Sequence, residues 1–148
     1  MDTESLLKLL NEYKVDYVVI GATAFPVHGY SRATLDIDIF IRPTEQNAQR
    51  IRDALQEFGY DLSDVTVSEL LAKKILIRQY AVETDVHPFV RGVDFTEVWK
   101  NKVTDLIGDT PVYFASLNDL IKMKQAAGRD RDKADLKVLL RLKKKRLL

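Results

Sequence analysis

Residues 34–40 read TLDIDIF, and the fold turns on how this stretch is read. Leu35, Ile37, Ile39 and Ile41 alternate without a break, so residues 35–41 form a strand with one wholly apolar face. Side chains on a strand switch faces at every residue. Asp36 and Asp38 therefore leave together from the opposite face, with Phe40 after them. Two carboxylates that close repel each other, and burying an unpaired charge is costly. A cation between them removes both penalties, and hard ions such as Mg²⁺ take a few carboxylates plus substrate phosphates as ligands. The competing explanation sets both aspartates at a sheet edge, paired with Arg32, Arg42 or a helix N-terminus. Asp-x-Asp alone does not choose between them.

The neighbouring segments supply what a metal–phosphate site needs. Residues 81–86 read AVETDV, a strand with Glu83 and Asp85 on one face. If it pairs beside 35–41, Asp85 or Glu83 completes the carboxylate set, and Asp85 better matches the setting of Asp36 and Asp38. Upstream, Tyr17–Ile20 is a short buried strand ended by Gly21, with a helix following over Ala22–His28. Backbone N–H groups at such a strand-to-helix turn point outward and hold phosphate. Pro26 would have to lie in the first turn of that helix, where no N–H is required.

Elsewhere the pattern is regular. Leu6, Leu9, Leu10 and Tyr13 mark a helix over 3–13, and Ala48, Ile51, Leu55 and Phe58 mark another, capped by Thr44 and stopped by Gly59. A short helix is expected at 67–72, strands at 74–78 and 80–86 with a turn near Gln79, and a strand at 111–115. Ser116-x-x-Asp119 starts a helix that Gly128 breaks, and residues 129–143 form a last helix packed by Leu136, Leu139 and Leu140. Strands and helices alternate, but the late strands cluster. The expectation is a single α/β (α+β) domain over 1–148, with a mixed central sheet flanked by helices and a C-terminal helix pair within 115–148.

Composition agrees with such a domain: 148 residues, 46% apolar, 30% charged, no cysteine. Disulfides and thiolate chemistry are thereby excluded. No apolar run approaches the ~20 residues of a membrane span, and the acidic N-terminus is not a signal peptide, so a cytoplasmic location without membrane association is expected. Net charge is +1, yet residues 120–148 carry eleven Lys/Arg against three Asp. That basic end reads either as a solvated helix with a frayed KKKR tail or as a surface for a polyanion.

Taken together, Gly21-Ala22, His28-Gly29 and Arg32-x-Thr34-x-Asp36-x-Asp38 resemble the nucleotidyltransferase superfamily with the DNA polymerase beta-like fold. The likeness is nearer to small bacterial nucleotidyltransferases of toxin–antitoxin and abortive-infection type. Their C-terminal string of Lys, Ala, Arg, Asp and Leu corresponds here to Lys124, Ala127, Arg129, Arg131, Asp132, Asp135 and Leu136. The resemblance implies transfer of a nucleoside monophosphate from an NTP to a hydroxyl, with Mg²⁺ or Mn²⁺. It implies Asp36, Asp38 and Asp85 as metal ligands and catalytic residues, Asp85 doubling as general base. Nucleotide contacts would come from Gly21, Ala22, Thr23, Arg32, Thr34 and Lys124. The pattern departs at Ala22, where a Gly or Ser is usual. The acceptor is expected to be a protein or tRNA hydroxyl, since so short a chain has little room for an acceptor pocket, and a toxin or antitoxin partner is implied. Two alternatives stay open: a catalytically weak nucleotide-binding antitoxin or regulatory module, and an RNA-binding protein using the basic C-terminal helix.

Overall fold

A computed structural model describes residues 2–34, 36–80 and 82–147. Leu35 and Ala81, which the strand readings include, lie outside the described residues. Among these residues, six strands form one mixed sheet: β1 (Tyr17–Ile20), β2 (Asp36–Ile41), β3 (Ile75–Ile77), β4 (Glu83–His87), β5 (Val103–Ile107) and β6 (Thr110–Phe114), in the spatial order β3-β4-β2-β1-β6-β5. β2 lies antiparallel to β1 and parallel to β4, and β1 lies parallel to β6. The two central strands, β2 and β1, are thus buried among neighbours, while β3 and β5 are edges.

Among the described residues, six α-helices accompany the sheet: α1 (Thr3–Glu12), α2 (Glu45–Phe58), α3 (Val67–Ala72), α4 (Phe95–Lys100), α5 (Leu117–Ala127) and α6 (Asp130–Arg146). Their starts follow from local chemistry. Thr44 Oγ1 accepts from Asn47 N–H at 3.2 Å, Thr66 and Glu69 form a capping box, and Ser116 Oγ accepts from Asp119 N–H at 3.1 Å. Ile37, Ile39 and Ile41 of β2 join Leu6, Leu10, Ile51 and Leu55 in the core, as the alternating pattern requires.

The structure departs from the sequence expectations in several places. Gly21–His28 winds as a 3₁₀ helix with Pro26 inside it, not in its first turn. A proline ring there conflicts with α-helical winding, and the tighter i→i+3 form takes its place. Leu140 is 43% exposed, so α6 packs through Leu139 and, in part, Leu136. The C-terminal basic run is helical to Arg146, whose Nη2 donates to the ring nitrogen Nδ1 of buried His28 at 3.0 Å. Two further elements appear. α4 is capped by Asp94 and buries Phe95 and Val98, whereas β5 is an exposed edge whose residues show no apolar alternation.

His28 carries a pH dependence. Burial pushes its pKa below the ordinary 6.5, while Nε2–H donates to the Ala115 carbonyl at 2.8 Å. Nδ1 already accepts from Arg146, so the native ring is neutral. The unfolded chain therefore binds a proton first as pH falls. Urea unfolding is expected to show stability dropping below pH 6.5, and His28→Gln is expected to remove that slope.

Candidate active site

β2 and β4 run side by side in a register that sets Asp36 opposite Glu83 and Asp38 opposite Asp85. Parallel neighbours in register, about 4.8 Å apart, project facing side chains from the same surface. The carboxylates of Asp38 and Asp85 consequently converge, and His87, two residues beyond Asp85, joins them. One carboxylate oxygen from each aspartate and a ring nitrogen of His87 lie within 4.8 Å of one another. Asp36 lines the same cleft, but its Oδ1 accepts from Thr34 Oγ1 at 2.9 Å, and it stands outside that three-residue cluster.

Arg78 and His87 both bond to these acids. Arg78, just past β3, forks onto Asp85 through Nη1 and, at 3.4 Å, through Nη2, and its Nε lies 3.6 Å from Glu83. His87 Nε2–H donates to Asp38 Oδ1 at 2.8 Å. Asp85 is almost fully buried, whereas the Asp38 side chain is 25% exposed to the cleft. Two carboxylates and an imidazole meeting at a buried corner form a donor set that fits a divalent cation.

Gly21 forms the adjoining wall, where Ile20 pairs with Asp38. Its φ is +69°, and a Cβ there would stand 2.7 Å from Asp38 Oδ2. The position admits no side chain without moving the carboxylate. Gly21→Ala is expected to lower any reaction this cleft carries out by about 100-fold, since an ångström of misplacement at a reacting group costs that much. The same variant should lose about 1–2 kcal/mol of unfolding free energy to left-handed backbone strain, read by denaturant melts.

α5 and the start of α6 cover the cleft from the other side. Val90, Leu120, Met123 and Ala127 give it an apolar wall, and Lys74, Lys124, Arg129 and Arg131 bring positive charge. Lys124 Nζ bridges two buried acids, Asp132 at 3.0 Å and Asp135 at 3.2 Å. Arg129 grips Asp132 with Nε at 2.6 Å and Nη2 at 3.2 Å. This fork, with Lys124 behind it, holds Asp132 far below the usual carboxylate range. Burial would raise Asp135, but Arg32 and Lys124 outweigh it and keep its pKa low.

Other side chains around the cleft and beyond it fall as follows. Arg32 pairs with Asp135, which also accepts from the Tyr30 hydroxyl at 3.2 Å. It does not pair with Asp36, the partner that proximity in sequence suggested. Thr23 Oγ1 donates to the Asp36 carbonyl at 3.3 Å and so braces β2, while neither Thr23 nor Ala22 lines the cleft. Asp135 bonds across elements, to Arg32 and Lys124, and not along its own helix. Trp99 and Tyr113 pack on each other beside a separate depression with Asn11 and Asp16. His87 and Arg78 were not anticipated. The signal for His87 was present, because Asp85-x-His87 places both on one strand face.

A mixed sheet that aligns an Asp-x-Asp strand with a second acidic strand, beside a glycine turn, is the arrangement that the resemblance to nucleotidyltransferases implied. Residues 2–140 match the family described as a nucleotidyltransferase of unknown function, DUF6036, and the chain belongs to that family. Two solved structures share the fold. One is a Thermotoga maritima protein assigned as a nucleotidyltransferase, with a TM-score of 0.62 at 18% identity over 92% of this chain and 88% of that one. The other is the lincosamide antibiotic adenylyltransferase LnuA with lincomycin bound, with a TM-score of 0.62 at 16% identity over 96% of this chain and 98% of that one. No curated protein matches the sequence. Among the described residues, no helix is long and apolar enough to cross a membrane.

Proposed function

We propose that this protein moves a nucleoside monophosphate from an NTP to an acceptor hydroxyl, using the cleft between β2, β4 and α5. The observation that carries this is the register of β2 on β4, which brings Asp38 and Asp85 together beside a glycine that only an unsubstituted Cα fits. In this reading the base packs on the apolar wall of Leu120, Met123 and Val90, and the triphosphate lies along the Gly21 backbone under Lys74 and Arg131. Lys124 is already balanced by Asp132 and Asp135, so its part is to hold α5 and α6 over the site and to add local positive potential.

A divalent ion such as Mg²⁺ or Mn²⁺, held by Asp38 and Asp85 with Asp36 on the same wall, would neutralise the phosphates and lower the pKa of the acceptor hydroxyl. In this reading Asp85 takes the hydroxyl proton. The acceptor oxygen forms a bond to the α-phosphorus, the α–β phosphoanhydride bond breaks, and pyrophosphate leaves with the electron pair. Arg78 orients Asp85 and keeps two neighbouring acids from repelling each other when no ion is bound. Thr34 and Thr23 fix Asp36 through its carboxylate and its carbonyl.

Chain length does not decide the acceptor, since a structure matched over 98% of its own length carries lincomycin. The test offers α-labelled ATP or GTP with Mg²⁺ to tRNA, to bulk cellular protein and to a panel of hydroxylated small molecules. Transfer of label with release of pyrophosphate supports the reading. Failure of every NTP to raise the melting temperature of the wild-type chain, in the presence of Mg²⁺ or Mn²⁺, would overturn it.

A further inference from the structure

The cluster at the head of β4 contains an imidazole as well as carboxylates, and the chemistry of an ion bound there follows from that difference. His87 Nε2 lies 2.8 Å from Asp38 Oδ1, and the His87 side chain is only 14% exposed. A ring nitrogen of His87 also lies within 4.8 Å of a carboxylate oxygen of Asp85. The ring sits on the last residue of a strand whose register is fixed by five consecutive pairings with β2, from Asp36↔Glu83 to Phe40↔His87. Its position is therefore set by the sheet and not by a mobile loop. Resting on the reading that this cleft binds a divalent ion, we infer that His87 is an inner ligand of that ion, with Asp38 and Asp85, and that the site selects a first-row transition ion over Mg²⁺.

The physical basis is ligand softness. Mg²⁺ holds its waters and prefers oxygen donors, whereas imidazole nitrogen binds first-row transition ions more strongly. Ligation uses a ring-nitrogen lone pair, so the single proton of the neutral ring resides on the other nitrogen in the loaded state. The hydrogen bond to Asp38 is exchanged for a shared ion. Arg78 does not block this arrangement, because each carboxylate oxygen of Asp85 has two lone pairs and Arg78 makes only one close contact. The remaining histidine, His28, is committed to Ala115 and Arg146 and lies outside the cleft.

The test uses the full purified chain with MnCl₂ and no nucleotide. Electron spin-echo modulation of the bound Mn²⁺ is expected to show a directly coordinated ¹⁴N. The coupling is expected to change to the ¹⁵N pattern in protein grown on imidazole-¹⁵N histidine, and to vanish in His87→Gln. The isotope arm needs no substitution, so a folding defect in the variant does not obscure it. Calorimetry is expected to give Mn²⁺ binding at least about 10-fold tighter than Mg²⁺, with His87→Gln removing most of that margin. Bound Mn²⁺ without nitrogen modulation would overturn the role of His87 and leave an oxygen-only metal site intact. No Mn²⁺ binding at all would overturn both this inference and the metal-dependent reading of the cleft.

Discussion

Asp38→Asn is expected to reduce nucleotidyl transfer by about 1,000-fold or more while leaving the fold intact. Asn keeps the shape of the side chain but removes the charge that, in the proposed reading, holds the cation. Loss of one preorganised charged group at a transition state costs about 3–4 kcal/mol, and each 1.36 kcal/mol is tenfold in rate. Asp38 stands at the meeting point of every feature of the cleft: it faces Asp85 across the strands, accepts from His87 and abuts Gly21. The side chain is partly open to solvent, and the Asn Oδ1 can still accept from His87 while repulsion from Asp36 and Asp85 is relieved, so the melting temperature should change little. Label-transfer kinetics and a thermal melt, run together, check both halves. A variant retaining a tenth of wild-type transfer would remove Asp38 from the chemistry.

The second large effect is on stability. Lys124→Met is expected to cost about 3–5 kcal/mol in denaturant unfolding, because it withdraws a cation shared by two buried carboxylates. Arg129 remains on Asp132 and Arg32 on Asp135, which places the loss toward the lower end. Acid behaviour supplies the control. Asp132 and Asp135 both have pKa values lowered from the ordinary 3.8, so the stability they contribute is complete above that value and is lost as pH falls below it. The variant should show a shallower acid limb than the wild-type chain. An unchanged limb and a loss under 1 kcal/mol would mean that the ion cluster is idle.

The site was partly legible in the sequence, for reasons that differ by residue. Asp36 and Asp38 were readable because β2 is central: the unbroken apolar face at Ile37, Ile39 and Ile41 leaves only one side for the acids. Gly21 was readable as a turn, but the 2.7 Å approach to Asp38 depends on strand pairing and not on spacing. Pairing of β2 with β4 was an expectation, and the register that sets Asp38 against Asp85 emerges only in three dimensions. Arg32 went to a partner 103 positions away, where a one-dimensional reading favours the nearest acid. α4 escaped because six residues show barely two turns of periodicity, although Asp94-x-x-Glu97 carries a capping signal. β5 escaped because an exposed edge has no face to bury.

The long reach of these pairings governs how the molecule is made. Tyr30 and Arg32 meet Asp135, and His28 meets Arg146, 118 positions on. A ribosome synthesises the acidic strands first and the basic helices last, and contacts so distant in sequence pay their loop-closure entropy late. During translation, β2 and β4 therefore leave the exit tunnel well before the helical roof that spans residues 117–146. The nascent chain passes through a stage in which its carboxylates have emerged while the helices that wall the cleft have not.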